Sequence, residues 1–259
     1  MYDNLRFLKS GQQIRVSFLL TEEKTYDTLC ILNNKSMTST EIHQKINLAA
    51  DAVIFTVDGN ELKVLLIQMK KKPYTGEWAF PGGLIENHET TRQAAERILK
   101  TQTGVEKVYL EQLQTFDHPD RDKTNRVVST AYIALIPNHQ IKLKTTEKYS
   151  DVRWWSIKKL PTLAYDHAEI AKVAIKRLQA KLEYTNIVWS LLPEEFTLTQ
   201  LQNVYEIILG RQLDKRNFRR KTLELGLVTA VGKKIKGEAC RPAELFHFKQ
   251  KKLTYVSII

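Results

Sequence analysis

Cysteine is nearly absent. Cys30 and Cys240 stand far apart and form no metal-spaced pair, so two free thiols are expected in place of a disulfide framework or a structural zinc site. Long apolar runs are also missing: nothing approaches the roughly 18 consecutive residues that a membrane span needs, and no membrane partner is expected. The opening residues, Met1-Tyr2-Asp3-Asn4-Leu5-Arg6, lack the basic-then-apolar pattern of a secretory signal, which makes the cytoplasm the expected compartment. Acid is scarce relative to base. Against 40 Lys and Arg there are 29 Asp and Glu, a net charge of +11, and such an excess favours polyanions, nucleic acid above all. What remains, 42% hydrophobic and 27% charged over 259 residues, describes a folded globular chain long enough for two domains.

Residues 1–47 carry no recognisable chemistry. Thr38-Ser39-Thr40-Glu41 has capping-box spacing and predicts a short helix through Ile42 and Ile46, with an earlier one near Tyr26–Asn33. A packing or dimerisation extension is the expectation. From Ala49 the texture changes. A β-branched run, "AADAVIFTV", meets the turn residues Asp58-Gly59-Asn60 and resumes as "LKVLLIQM", which reads as a hairpin. A helix is predicted from about Thr90 to Thr103 and stopped by Gly104, with further strands at 106–116, 127–137 and 151–156. Strands around a loop and helix argue for an α/β sandwich. The stretch from Tyr165 to Leu182 reads as an amphipathic helix that closes this domain, and "TNIVWSLLPEEF" as a junction.

The C-terminal stretch has another logic. Thr197 with Gln200 opens a helix whose buried stripe is Leu198, Leu201, Val204, Tyr205 and Ile208, and Gly210 ends it. Asp214 then caps "KRNFRRKTLEL", stopped by Gly226. Phe218, Thr222 and Leu225 are the expected buried side. Lys215, Arg216, Asn217, Arg219, Arg220 and Lys221 form a cationic ridge, and a following hairpin, with its turn expected at Gly232-Lys233-Lys234, carries Lys233, Lys234 and Lys236 as a wing. A charge run is usually a solvated surface. On the second helix of a helix-turn-helix, followed by a basic hairpin, it points to double-stranded DNA, with Arg216 and Asn217 suited to base edges and the lysines to phosphates.

Between the two halves' signals lies "GGLIENHETTRQAAERILKTQTGV", Gly82 to Val105. It resembles the signature of the Nudix family, G-x5-E-x7-R-E-U-x-E-E-x-G-U, at Gly83, Glu89, Arg97, Leu99, Gly104 and Val105. The departures are Ile98, Thr101 and Gln102, which share one helical face by their i, i+3, i+4 spacing. In the family that face presents carboxylates to a divalent metal. Mg²⁺ wants anionic oxygen, so the resemblance implies no metal here and lost or feeble hydrolysis. Glu86, Glu89 and Glu96 are the residual carboxylates. Glu96 is one residue off the face, between Arg92 and Lys100 at four residues either side, which predicts a solvated ion-pair ladder.

The segments "FDHPDRDKTNRVVSTAYIALIP", "LAYDHAEI" and "LLPEEFTLTQLQNVYEIILGRQLDKRNFRRKTLELGLV" resemble Nudix-related transcriptional regulators. That resemblance implies a Nudix α/β/α sandwich with a mixed sheet over 48–184 and a winged helix-turn-helix over 185–259. It also implies a homodimer that binds an operator, controls NAD-metabolism genes and senses a nucleotide such as ADP-ribose. Some relatives answer to a sugar. Lys70, Trp78, Gly82, Gly83, Arg97, Asp120 and Arg121 are the candidate ligand residues, the glycines for close backbone approach and the cations for phosphate, while Trp78 reads as a stacking platform or, at least equally, as a core residue. For His118 and His167 alone, loop or helix-end structure is the plainer reading. No cofactor is required on this view. The rival is an active hydrolase of ADP-ribose or a nucleotide sugar, which would need Mg²⁺.

Overall fold

In the computed structural model, which describes residues 4–9, 12–17, 45–104, 106, 108–137, 149–235 and 242–257, the expected hairpin forms its centre. Strand β3, Asn47–Asp58, turns at Gly59, whose φ of 59° is open to glycine, and returns as β4, Glu61–Met69. By itself, the N-terminal unit pairs β1, Asn4–Lys9, antiparallel with β2, Gln12–Ser17. The sequence reading did not foresee this hairpin. The helix expected near Tyr26–Asn33 lies outside the described residues, as does Ile42. The helix expected through Ile42 and Ile46 does not reach Ile46, which leads straight into β3.

Seven strands make one mixed sheet. Its path runs β5 (Trp78–Ala79), β4, β3, β8 (Val127–Leu135) and β7 (Tyr109–Phe116); β6 (Gly82–Leu84) pairs with the start of β3, and β9 (Tyr149–Ser156) with β4. The β3–β8 pair is parallel and the rest are antiparallel. Alternation along β3 splits its side chains between two cores. Ala50, Ala52 and Ile54 pack with Ala94, Ala95 and Ile98 of helix α1, Thr91–Thr103. Val53 and Phe55 pack with Ile170, Ala174 and Leu178 of helix α2, His167–Tyr184. One helix on each face is the α/β/α sandwich. Thr90 and Gln93 close a capping box at the head of α1, and Gly104 ends it at φ 74°.

A short 3₁₀ turn, Ile187–Ser190, leads to α3, Leu198–Leu209, and α4, Lys215–Glu224. Thr197 with Gln200, and Asp214, cap them as the sequence predicts. The stripe Leu198, Leu201, Val204, Tyr205 and Ile208 is buried. The hairpin of β10, Val228–Ile235, and β11, Ala243–Phe248, follows. The turn expected at Gly232-Lys233-Lys234 is not one: β10 continues through it, and a register shift between Ala230 and Lys234 takes up the glycine at φ 76° as a bulge. Leu225, expected inside, is 37% exposed, because the buried side of α4 is only Phe218 and Thr222. The core on the α2 face does not stop at the sheet. It continues through Ile187, Leu201, Tyr205, Phe218 and Phe246, so sandwich and winged segment share one apolar interior.

Candidate functional site

Asp51 is the unexpected residue. It sits in the apolar strand β3 on the α2 side, only 6% exposed, where an isolated carboxylate would be costly. Three groups satisfy it. Ser129 of β8 donates its hydroxyl at 2.6 Å, Arg121 its guanidinium at 3.2 Å, and His167 places Nε2 at 3.7 Å. Burial opposes its ionisation, but His167, Arg121 and Ser129 together outweigh that and hold its carboxyl below the usual range. Arg121, equally buried, also makes a bidentate pair with Asp166 at 2.7 and 2.9 Å. His167 Nδ1 accepts the Phe80 N–H at 2.9 Å, which leaves the ring proton on Nε2, toward Asp51.

Of these groups, Asp51, Arg121 and His167 line a cleft of about 320 Å³ together with Gly82, Gly83, Tyr149 and Tyr165. Tyr165 holds φ 56°, a backbone region unfavourable for a bulky side chain. Its ring lies against Tyr74 at 4.2 Å and against His167 at 5.2 Å. Burial, with Asp122 adding to it, pushes the Tyr165 phenol up to about 12, so it stays a neutral donor at physiological pH. Since two carboxylates flank Arg121, the closed end has no cationic surplus. Aromatic faces, hydroxyls and ionised Asp51 suit a hydroxyl-bearing or nitrogenous group better than a phosphate.

Several expected ligand residues serve other purposes. Trp78 is 7% exposed and packs edge-on against Trp155 at 5.1 Å inside the core; it is not a platform in the cleft. Arg97 is bound to Glu89 at 2.5 and 2.9 Å and to the Leu84 carbonyl at 3.0 Å. These bonds, above all, hold the Glu89 carboxyl down at about 2, so the pair staples the loop to α1 instead of offering charge to phosphate. Lys70 and Asp120 are exposed and do not line the cleft. Of the candidates, Gly82, Gly83 and Arg121 do.

The two glycines differ in why they are needed. A Cβ on Gly82 would collide with Asp51 Oδ1, a carboxylate fixed by its partners, and would lie 3.3 Å from the Ala50 carbonyl. On Gly83 it would meet only Ile98 Cδ1 at 3.9 Å. Gly82→Ala is therefore expected to destabilise the fold by about 1–3 kcal/mol and Gly83→Ala by much less, a contrast read directly by thermal melting.

The helical face where the signature departs is filled without metal chemistry. Ile98 is fully buried beneath Gly83. Gln102 donates Nε2 to the Gly82 carbonyl at 2.9 Å; a carboxylate there would set oxygen against oxygen and need a cation between. Thr101 turns its hydroxyl back to the Arg97 carbonyl at 2.8 Å. Glu96 pairs with Arg92 at 3.1 Å, while Lys100 goes to Glu106 instead of completing the ladder. Glu86 is a solvated carboxylate 3.5 Å from Arg97. These residues do not fit a Mg²⁺ ion, which needs anionic oxygens converging on one point.

The cationic helix does present its charge. Lys215, Arg216, Asn217 and Arg220 are exposed along α4, while Arg219 is half-buried and donates to Thr199 of α3 at 2.8 Å. Lys221 is also half-buried. In the hairpin, Lys233 and Lys234 are exposed, Lys233 lying 3.3 Å from Glu195; Lys236 is outside the described residues.

Both segments match known families. The NUDIX domain family matches residues 46–178, and the NrtR DNA-binding winged helix domain matches residues 188–248. The ADPR responsive transcriptional repressor NtrR of Acinetobacter baylyi is 39% identical over 206 residues, 78% of this chain and 81% of its own length. The ADP-ribose pyrophosphatase of Methanocaldococcus jannaschii is 34% identical over 119 residues, 45% of this chain and 69% of that protein. The crystal structure of Shewanella oneidensis NrtR complexed with a 27mer DNA aligns at a TM-score of 0.70 with 36% identity, covering 78% of this chain and 93% of that one. Among the described residues, no helix is long and apolar enough to cross a membrane.

Proposed function

The chain belongs to the NUDIX family, in the group that carries the NrtR DNA-binding winged helix, and from that membership we propose that it is a transcriptional repressor that releases its operator when ADP-ribose fills the cleft. The observation that carries the reading is the face of α1. The scaffold keeps its glycine pair and its Glu89–Arg97 staple, yet Ile98 and the Gln102–Gly82 bond occupy the place of the metal carboxylates. Such a cleft reads a nucleotide's concentration without consuming it. The winged segment supplies the output, with Arg216 and Asn217 toward base edges and Lys215, Arg220, Lys221, Lys233, Lys234 and Lys236 toward phosphates.

The protein acts in the cytoplasm as a homodimer on genes of NAD metabolism. Two copies of α4 would address half-sites about 34 Å apart, one helical turn, and the bound effector shifts the population toward an arrangement that no longer matches them. Sandwich and winged segment, at 48–184 and 185–259, are the sensing and binding domains.

A mobility shift on the protein's own promoter region tests this, with ADP-ribose, NAD and arabinose in separate lanes. The expected result is a retarded band that ADP-ribose abolishes. Release by arabinose alone would replace the nucleotide with a sugar effector. Incubation with ADP-ribose and Mg²⁺ addresses the hydrolase reading: AMP formed at an ordinary enzymatic rate, and lost in Glu89→Gln, would overturn the assignment of a sensor.

A further inference from the structure

Helix α2 is moored in an unusual way. Its N-cap residue Asp166 makes no side-chain bond to the helix's own N–H groups; both carboxylate oxygens go to Arg121 instead. Tyr165, one residue earlier, is the single non-glycine residue of positive φ among the described residues. His167, one residue later, is tied to the Phe80 N–H. The head of α2 is thus held by groups that line the cleft, Tyr165, Arg121 and His167. Whatever fills the cleft touches what holds the helix, and the positive φ at Tyr165 is a conformation that a bulky side chain holds at a cost.

The far half of α2 grips the winged segment twice. Gln179 Nε2 donates to the Ile208 carbonyl in the last turn of α3 at 2.9 Å. Just past the end of α2, Asn186 joins the stretch that follows the wing. Its N–H and Nδ2 donate to the Thr254 and Lys252 carbonyls at 3.1 and 3.0 Å, and its Oδ1 accepts the Thr254 N–H at 2.8 Å. Val256 adds a bond to the Tyr184 carbonyl at 2.9 Å. Helix α4 is reached through α3, and the wing through this strap. Strand β4 also touches α3, but its backbone is hydrogen-bonded to β3, β5 and β9, whereas α2 is held on the sheet by side chains, Arg177 and Lys181 beside Glu111 among them.

We propose that α2 is the lever that carries cleft occupancy to the DNA-binding segment, with Gln179 and Asn186 as its two positioning residues at the output end. The proposal rests on the reading of the cleft as the ADP-ribose site. At 18 residues the helix spans about 27 Å, so a shift at its head arrives at α3 and the strap together. Neither Gln179 nor Asn186 lines the cleft or belongs to α4.

The test measures coupling in the full chain. ADP-ribose affinity is determined by titration calorimetry with and without a promoter duplex, and duplex affinity with and without saturating ADP-ribose; the two ratios must agree, because coupling is reciprocal. In Gln179→Met and Asn186→Ala, ADP-ribose should bind the free protein as in the unaltered chain, while the coupling ratio falls by about 5-fold or more, a substantial share of the usual allosteric range. Melting curves verify that each variant is folded, and Asn186→Asp, which keeps the acceptor but loses the Nδ2 donor, stands in if the alanine variant is not. An unchanged ratio in folded variants of both positions overturns the lever alone. Failure of the unaltered protein to bind ADP-ribose overturns the effector reading and the lever with it.

Discussion

Arg121→Ala is expected to lower stability by about 3–5 kcal/mol, since removing one partner of a buried ion pair strands the others without solvent. For a chain of this size that corresponds to a fall in melting temperature of about 6–20 °C. The geometry makes the size plausible: the Arg121 side chain is 3% exposed, and it serves Asp51 and Asp166 at once. Removing the charges jointly, in Arg121→Met with Asp51→Asn and Asp166→Asn, should recover part of the loss, because an uncharged cluster leaves no stranded ion. Lys123→Ala, nearby but exposed, serves as the control and should move little.

The pH dependence has a definite sign. Asp51 is held below the ordinary carboxylate range in the folded chain, so its contribution is complete at neutral pH and fades as pH falls below about 4 through the lowered folded value. In Arg121→Ala the burial that opposes ionisation loses one of its main counterweights, and protonation relieves the stranded carboxylate. The stability gap between the two proteins should therefore narrow as pH drops from 7 toward 4. A gap that stays constant or widens over that interval would show that Arg121 does not act through Asp51.

The second large effect concerns DNA. Arg216→Ala and Asn217→Ala are each expected to weaken operator binding by about 1–3 kcal/mol, and the double variant by about 30-fold to 20,000-fold if the two act independently. Both lie in the first turn of α4 and are exposed, where a recognition helix meets base edges. Lys215→Ala should weaken all sequences alike and shallow the salt dependence by about one unit of slope. Arg219→Ala belongs to a third class: with its guanidinium on Thr199, its loss should disturb how α4 sits on α3. Equal affinity of the unaltered protein for operator and unrelated duplexes would refute sequence-specific recognition.

What could be read in the sequence was local. The β3–β4 turn at Gly59, the ends of α1 and α3 at Gly104 and Gly210, and the caps at Thr197 and Asp214 each depend on residues within a few positions, and each stands where expected. The signature frame placed the glycine pair for the same reason, and it fixed the positions of Glu89 and Arg97 without showing that they bind each other. The Asp51 cluster was missed because its members come from positions 51, 121, 129, 166 and 167, brought together only by the β3–β8 register and the docking of α2. A signal was present: an acid inside the apolar run "AADAVIF" must find partners if that run is buried. His167 stands at a helix end as expected, the first residue of α2, but its contacts with Phe80 and Asp51 could not be read from that position. For Trp78 the sequence left platform and core both open, and the ring turns into the interior. The bulge in β10 has only Gly232 to announce it, and a glycine among lysines reads equally as a turn.

The apolar interior that runs unbroken from β3 through α2 to Phe218 and Phe246 has an evolutionary consequence. A recognition module joined by a tether can be traded between proteins and keep its grip on DNA. Here Tyr205 and Phe196, both fully buried, complete a hydrophobic surface whose other half belongs to the α/β/α sandwich. Shuffling the C-terminal piece onto another scaffold would bare that surface, so the two halves are bound to diverge as one inheritance.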